Sequence, residues 1–151
     1  MKKTVAILFV VVFAAFGQNA PATFKTAAEL MAELKANIPK ATDQASASVF
    51  AADNWHASIV YRDKPGVAMA HLTGPAKGTE VHYIIDGSAT VITGGTLLRP
   101  KGGPSDIQGG VVHHVAKGDS LVIPAGTPHW YKEIQGSVTY LEVRFDVEKT
   151  K

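Results

Sequence analysis

The chain has 151 residues, and a chain of this length most often folds as one domain. Hydrophobic residues make up 46% of it and charged residues 19%, a balance that indicates a packed core and excludes a disordered or collagen-like chain. Cysteine is absent, which excludes disulfides, a thiolate nucleophile and a cysteine zinc site. Any metal ion would therefore be held by His, Asp or Glu.

The first 17 residues have the pattern of a secretory signal peptide. Two lysines precede residues 4–16, an uncharged apolar run of 13 residues, which is too short for the roughly 20 residues that span a bilayer. Ala15 and Gly17 are small residues at the positions that a signal peptidase reads. Removing residues 1–17 leaves equal numbers of basic and acidic residues, with no basic patch for nucleic acid. We expect an exported protein, periplasmic or secreted, without a stable membrane anchor.

One amphipathic helix is predicted within residues 18–45, the lead-in to the main domain. Thr26 and Glu29 have the spacing of a capping box at its start. Apolar residues then follow at helical spacing: Ala27, Leu30, Met31, Leu34 and Ile38. Pro39 ends the helix, because proline disfavours helical backbone in the residue before it. We expect the apolar stripe to pack on the outside of a β domain that spans residues 46–147.

From Ser46 onward, short runs of β-branched and aromatic residues alternate with Gly and Pro. They predict strands at residues 48–52, 55–62, 67–72, 80–86, 88–93, 111–116, 120–123, 129–134 and 138–146. Asp86-Gly87 predicts a two-residue hairpin turn, because a type I′ turn needs positive φ, and Gly118-Asp119 gives a similar signal. Residues 94–110, rich in Gly and Pro, predict one long loop. Many short strands with regular turns are typical of an all-β barrel or jelly roll.

The most specific pattern is GDSLVIPAGTPH, from Gly118 to His129. Its spacing is Gly, five residues, Pro, one residue, Gly, two residues, His. This pattern resembles the second motif of the cupin superfamily, although the asparagine that usually follows the histidine is absent. The resemblance implies a cupin-type β-barrel or jelly roll, with the helix outside it, and a metal-ligating role for His129 inside the barrel.

The first cupin motif is half present. Six residues lie between Glu80 and Gly87, as in the family, but TGPA occupies the place of its His-x-His pair. The nearest upstream histidine is His71, which needs a longer loop to reach the site. His82 lies two residues after Glu80, so both side chains share one face of a strand. A second alignment, with Glu80 and His82 in the His-x-His places and Asp86 in the Glu place, also fits loosely.

The resemblance implies a mixed ligand set of Glu80, His82 and His129, with His71 as a fourth candidate. Imidazole with carboxylate suits divalent Zn, Fe, Mn, Ni or Cu. Tyr131 shares a strand face with His129 and is a candidate for the pocket wall. One ring of the His113-His114 pair points inward, so either His113 or His114 could line the pocket as a general base, although such residues are more often exposed; His113 is taken as the second pocket candidate.

Other polar residues carry weaker signals. Arg62 and Arg99 could meet an anionic substrate, although such arginines are more often solvated. No role is suggested for His56. These residues therefore do not enter the predicted site.

The sequence thus predicts an exported single-domain cupin that binds a divalent metal and acts on a small organic molecule, as a dioxygenase, isomerase or lyase. The alternative is a non-enzymatic cupin that binds a small ligand and has a degenerate metal site, which the missing His-x-His favours. Cupins similar to this one commonly pair through their strand edges, so a homodimer is expected. Convergent His and Glu in the cavity would favour the enzyme, and an apolar cavity would favour the binding protein.

Overall fold

The computed structural model describes residues 21–52, 54–71 and 78–146, so the predicted signal peptide lies outside the described residues. Helix α1 spans Ala27–Asn37 and continues as a single 3₁₀ turn, Ile38–Lys40. The predicted capping box is confirmed: the Glu29 amide donates to Thr26 Oγ1 at 3.2 Å, and the Thr26 amide donates to Glu29 Oε2 at 2.7 Å. No helix within the described ranges is long and apolar enough to cross a membrane.

Eight antiparallel strands follow the helix in the described part of the chain. They are β1 Ala45–Ala51, β2 Trp55–Arg62, β3 Thr79–Thr93, β4 Thr96–Leu98, β5 Asp106–Gln108, β6 Val111–Ala116, β7 Ser120–Ile123 and β8 His129–Phe145. The main sheet has the order β1-β2-β8-β3-β6, with β7 also paired to β3, and β4 and β5 form a separate two-stranded ribbon. The all-β fold with one N-terminal helix is therefore confirmed.

Two long strands, β3 and β8, pair along most of their length and form the centre of the sheet. Their register runs from Thr79 opposite Phe145 to Thr93 opposite His129, with three shifts on the way. Such bulges bend a strand and increase its twist, which lets the sheet curl around an interior. The hairpin predicted at Asp86-Gly87 is wrong, because the chain continues through Gly87 as one strand.

Several other predictions about the strands are corrected by the structure. The turn at Gly118 joins β6 and β7, which both pair with β3 and not with each other, so it is no hairpin. Residues 94–110 contain the ribbon β4–β5 and not one loop. Where a strand was predicted at residues 67–72, residues 67–71 contain a single β-bridge, between Met69 and His129. Residue 72 lies outside the described part of the chain. Residues 129–145 form one strand where two were predicted.

Strand β2 separates two apolar clusters. On its inner face Val60 packs with Ile84, Val91 and Tyr140 in the barrel core. On its outer face Ile59 and Tyr61 pack with Leu34 of α1 and with Ala45 and Ala47 of β1. This division follows from the alternation of side chains along a strand. The helix thus lies outside the barrel, and the inner face of β2 is free to contribute to a site.

Candidate metal centre

A cavity of about 370 Å³ lies inside the barrel, between β2, β3 and β8. Its lining is largely polar, and it includes His56, Arg62, His71, Glu80, His82, His129, Tyr131, Tyr140, Glu142 and Arg144. A volume of this order suits a small molecule. The interior therefore has both the space and the polar groups that a ligand site requires.

Two imidazoles and a carboxylate converge on one wall of this cavity. Glu80 Oε1 lies 3.4 Å from His71 Nε2 and 3.7 Å from His129 Nε2. The three side chains offer ligand atoms that all lie within 4.8 Å of one another. A divalent metal ion could be held at this spacing by the three groups together.

The backbone bridge between Met69 and His129 brings His71 to this wall. The Met69 amide donates to the His129 carbonyl at 3.0 Å, and the His129 amide donates to the Met69 carbonyl at 2.8 Å. The bridge holds residues 69–71 alongside the start of β8. His71 therefore reaches Glu80 although it lies outside the motif position that the family uses.

The ring of His129 is oriented by the backbone. Its Nδ1 lies 3.0 Å from the Thr127 carbonyl oxygen, so Nδ1 carries the proton and Nε2 keeps its lone pair toward Glu80. Burial lowers the pKa of both His129 and His71, which favours the neutral rings. Neutral imidazole is the form that binds a metal ion.

A second group surrounds His82, which is buried between two carboxylates. Its Nε2 lies 3.1 Å from Glu80 Oε2 and 3.5 Å from Glu142 Oε2, and its Nδ1 lies 3.1 Å from the Tyr131 hydroxyl. Burial opposes the charged ring, but the hydrogen bonds to Glu142 and Glu80 raise the pKa of His82. Burial likewise opposes ionisation of Glu142, yet bonding to His82 and the charge of Arg144 lower its pKa to about 2. This group also has metal-ligand spacing, although its charges already compensate one another.

Arg144 joins the two groups. Its Nη2 lies 3.3 Å from His71 Nε2, 3.4 Å from Glu80 Oε2 and 3.5 Å from Glu142 Oε1. Burial would raise the pKa of Glu80, but the hydrogen bond from His82 and the nearby positive charges hold it below its ordinary value. Glu80 is therefore ionised, with Oε2 held by His82 and Arg144 and Oε1 facing His71 and His129.

The structure brings most of the sequence-predicted residues to this cavity. His71, Glu80, His82, His129 and Tyr131 all line it. His113 lies on β6, away from the described cavity lining, and its Nε2 is 2.8 Å from Thr93 Oγ1. His114 and Asp86 are exposed, and neither belongs to a described group with metal-ligand spacing.

The cavity lining also contains residues that the sequence analysis left outside the predicted site, among them His56, Arg62, Glu142 and Arg144. Glu142 is the cross-strand neighbour of His82, and its Oε1 lies 3.1 Å from His56 Nε2. The sequence did offer a signal for Glu142 and Arg144: they follow Tyr140 at intervals of two, so all three side chains share one face of a strand. That signal could not be used without knowing which face of this part of β8 points inward.

Comparison with known proteins identifies the fold. No family model matches the sequence, and no curated protein matches it. Among solved structures, the TT1209 protein from Thermus thermophilus is 16% identical with a TM-score of 0.56, covering 83% of this chain and 98% of that chain. KdgF from Halomonas sp. is 14% identical with a TM-score of 0.52, covering 72% and 84% of the two chains.

A third similar structure is described as a cupin. An RmlC-like cupin from Shewanella frigidimarina NCIMB 400 is 14% identical with a TM-score of 0.50, covering 72% of this chain and 81% of that chain. Likenesses at this level of identity establish architecture and leave the chemistry open. The chain shares the fold of this RmlC-like cupin, so the architecture that the resemblance implied is confirmed.

Proposed function

We propose that this protein binds a divalent metal ion through His71, Glu80 and His129 and acts on a small organic molecule in the adjoining cavity. The observation that carries the proposal is the convergence of these three ligand atoms within 4.8 Å on the cavity wall. Two imidazoles and one carboxylate suit divalent Zn, Fe, Mn, Ni or Cu, and three protein ligands leave positions open. The bound ion would supply Lewis-acid or redox chemistry, as in a dioxygenase, isomerase or lyase.

The surrounding residues support this assignment through the orientation they give to the ligands. The Thr127 carbonyl fixes the tautomer of His129, and His82 and Arg144 hold Oε2 of Glu80. Partners of this kind orient ligands and tune the affinity of a metal site. In this proposal His82 positions Glu80 and is not itself a ligand, since both of its ring nitrogens are engaged within the protein.

Metal analysis of protein purified without chelators tests the proposal. We expect about one divalent ion per chain in the wild type, and little in His129→Ala or His71→Ala, because three ligands are needed to hold it. His113→Ala is the matched control, since His113 lies away from the described cavity lining, and it should keep the metal. Substoichiometric metal that is the same in the wild type and in His129→Ala would contradict the proposal.

The alternative function is a cupin that binds a small ligand without catalysis. It is favoured by Arg144, whose guanidinium lies beside Glu80 and Glu142, compensates their charge and donates to His71. This alternative predicts a wild-type protein that takes up no Zn²⁺ or Fe²⁺ when either ion is supplied. Retention of about one ion per chain after dialysis would exclude it in favour of the metalloprotein.

We also propose that the protein is exported. The support is the basic start and the apolar run within residues 1–17. N-terminal sequencing of protein recovered from the periplasm or the medium should find Gln18 as the first residue. An uncleaved chain confined to the cytoplasm would contradict export.

A homodimer is a further part of the proposal. Strand β6 lies at one end of the main sheet, and Val111 and Val112 on it are exposed. An apolar edge strand is a favourable surface for pairing with a second copy. Light scattering after size exclusion should give twice the mass of the chain, and the mass of one chain would contradict pairing.

A further inference from the structure

Arg62 is a buried cation whose hydrogen-bond partners are neutral. It lies at the end of β2, is 6% exposed and lines the cavity. Its Nε donates to the Tyr140 hydroxyl at 3.2 Å, and its Nη2 donates to the amide oxygen of Gln44. Its Nη1 is buried and has no hydrogen-bond partner among the described residues. Arg62 therefore keeps an unused N–H donor, and its side chain belongs to the cavity lining.

The charge of Arg62 is compensated much less than the charge of Arg144. Arg144 lies within 3.5 Å of two buried carboxylates, those of Glu80 and Glu142. The acidic neighbour of Arg62 is Asp43, whose Oδ2 is 3.6 Å from Nη1 and whose side chain is 35% exposed. A half-solvated carboxylate beyond hydrogen-bond distance offsets little of the cost of burying a cation. A second anion beside Arg62 would be favourable.

A stacked pair of tyrosines connects Arg62 with the metal-ligand wall. The rings of Tyr131 and Tyr140 are 5.0 Å apart and nearly parallel, and Arg62 Cζ lies 5.3 Å from the centre of the Tyr131 ring. The Tyr140 hydroxyl accepts from Arg62, while the Tyr131 hydroxyl contacts His82. Arg62 and Glu80 therefore line the same cavity, where one bound molecule could contact both.

We propose that Arg62 binds the carboxylate of a small organic acid, which makes a monocarboxylate the class of ligand that this cavity takes. That the acid is a substrate rests on the proposed function. That the acid binds in the cavity rests on Arg62 alone. A singly charged carboxylate fits better than a phosphate, because the nearby Asp43 carboxylate repels a dianion more strongly than a monoanion. The ring or chain of the acid would then extend along the stacked tyrosines toward Glu80.

Binding of matched probes to chelator-treated protein tests the inference. The probes are benzoate and butyrate, their neutral amides, and phenyl phosphate. The affinity of each is measured by ligand-observed NMR or calorimetry. We expect the acids to bind about tenfold or more tightly than the amides, since the charge-assisted bond to Arg62 is lost in the amides. Equal binding of acid and amide, tighter binding of phenyl phosphate, or no binding of either acid would overturn the inference.

Substitutions at the two residues beside Arg62 should change benzoate affinity in opposite directions. Gln44→Glu places a carboxylate on Nη2, so it should weaken benzoate binding about tenfold and raise the Tm. Asp43→Asn removes the competing carboxylate and should tighten binding severalfold. Arg62→Gln should abolish binding, and should that variant fail to fold, the two neighbouring variants keep the inference testable without it. Identical affinity in wild type, Gln44→Glu and Asp43→Asn would overturn it.

Two controls separate this inference from the proposed metal site. Arg99→Gln removes an exposed arginine and should leave benzoate affinity unchanged. His129→Ala should retain an affinity that depends on Arg62 even where metal analysis finds no ion, so the inference survives failure of the metal proposal. Benzoate binding that requires added metal and ignores Gln44→Glu would refute the role of Arg62 and leave the metal site standing.

Discussion

His82 and Glu142 face each other across β3 and β8, with His82 Nε2 3.5 Å from Glu142 Oε2 and both side chains buried. The two residues are direct cross-strand partners in the register of the sheet. Burial opposes the charged form of each side chain, but the hydrogen bond between them outweighs that cost, so the pKa of His82 is raised and the pKa of Glu142 is lowered. This pair therefore couples the stability of the barrel to protonation.

Glu142→Gln should lower the free energy of unfolding of the metal-free protein by about 3 kcal/mol near pH 6, because it leaves the buried cation of His82 with one fewer anionic partner. Urea denaturation measures the change. Glu133→Gln is the matched control: Glu133 is exposed on the same strand, so the expected loss is below about 0.5 kcal/mol. Equal losses in the two variants would contradict the role of the buried pair.

The contribution of this pair should depend on pH in both directions. The pKa of Glu142 is lowered from 4.5 to about 2, so its contribution is complete above pH 4.5 and is lost as the pH falls toward 2. The pKa of His82 is raised above 6.5, so its contribution is complete below pH 6.5 and is lost as the pH rises through the raised value. The stability difference between wild type and Glu142→Gln should be largest between these limits. A difference that stays constant from about pH 3 to pH 9 would refute the coupling.

Gly87 shows why the pairing of the long strands could not be predicted from the sequence. Its φ of 78° suits a type I′ turn, but the same φ also occurs at a bulge in a continuous strand. The choice depends on β8, which offers a partner to both halves of β3. That partner lies about fifty residues further along the chain, beyond the reach of local patterns.

Gly87→Ala should destabilise the fold by about 3 kcal/mol or more, because a side chain there meets both a steric clash and an unfavourable φ. A Cβ atom at Gly87 would lie 1.9 Å from the Ser137 carbonyl oxygen. Gly94→Ala is the control, since Gly94 has a similar φ of 75° and no atom within 4 Å of such a Cβ. It should cost only about 1 kcal/mol. Thermal unfolding of the two variants gives the comparison, and similar Tm values would show that the close approach to β8 is unimportant.

The same register shifts explain how much of the site the sequence could predict. Local alternation correctly placed Glu80 and His82 on one face, and likewise His129 and Tyr131. Along β8, however, the buried positions change from odd numbers at 129 and 131 to even numbers at 138, 140 and 142. Because the bulges are not visible in the sequence, Glu142 could not be assigned to the interior. The approach of His71 depends on a long-range backbone bridge and was equally hidden.

The attachment of the helix was predicted from its apolar stripe and can be tested directly. Leu34 is 2% exposed among Ala45, Ala47 and Ile59, so Leu34→Ala should cost about 3 kcal/mol. Met31 belongs to the same predicted stripe but is 46% exposed, so Met31→Ala should cost below about 1 kcal/mol. Chemical denaturation distinguishes them. Equal costs would show that the helix does not dock through Leu34.

Metal addition and removal should change the stability of the protein if His71, Glu80 and His129 form the site. An ion that binds the folded chain raises its free energy of unfolding by about 2.7 kcal/mol at a hundred times its Kd. Added Zn²⁺ should therefore raise the Tm of the wild type, and EDTA should reverse the increase. The increase should be absent in His71→Ala and retained in His113→Ala, whose ring lies on β6 beside Thr93. An increase of the same size in His71→Ala would assign the ion to the other group, Glu80, His82 and Glu142, because His71 takes no part in it.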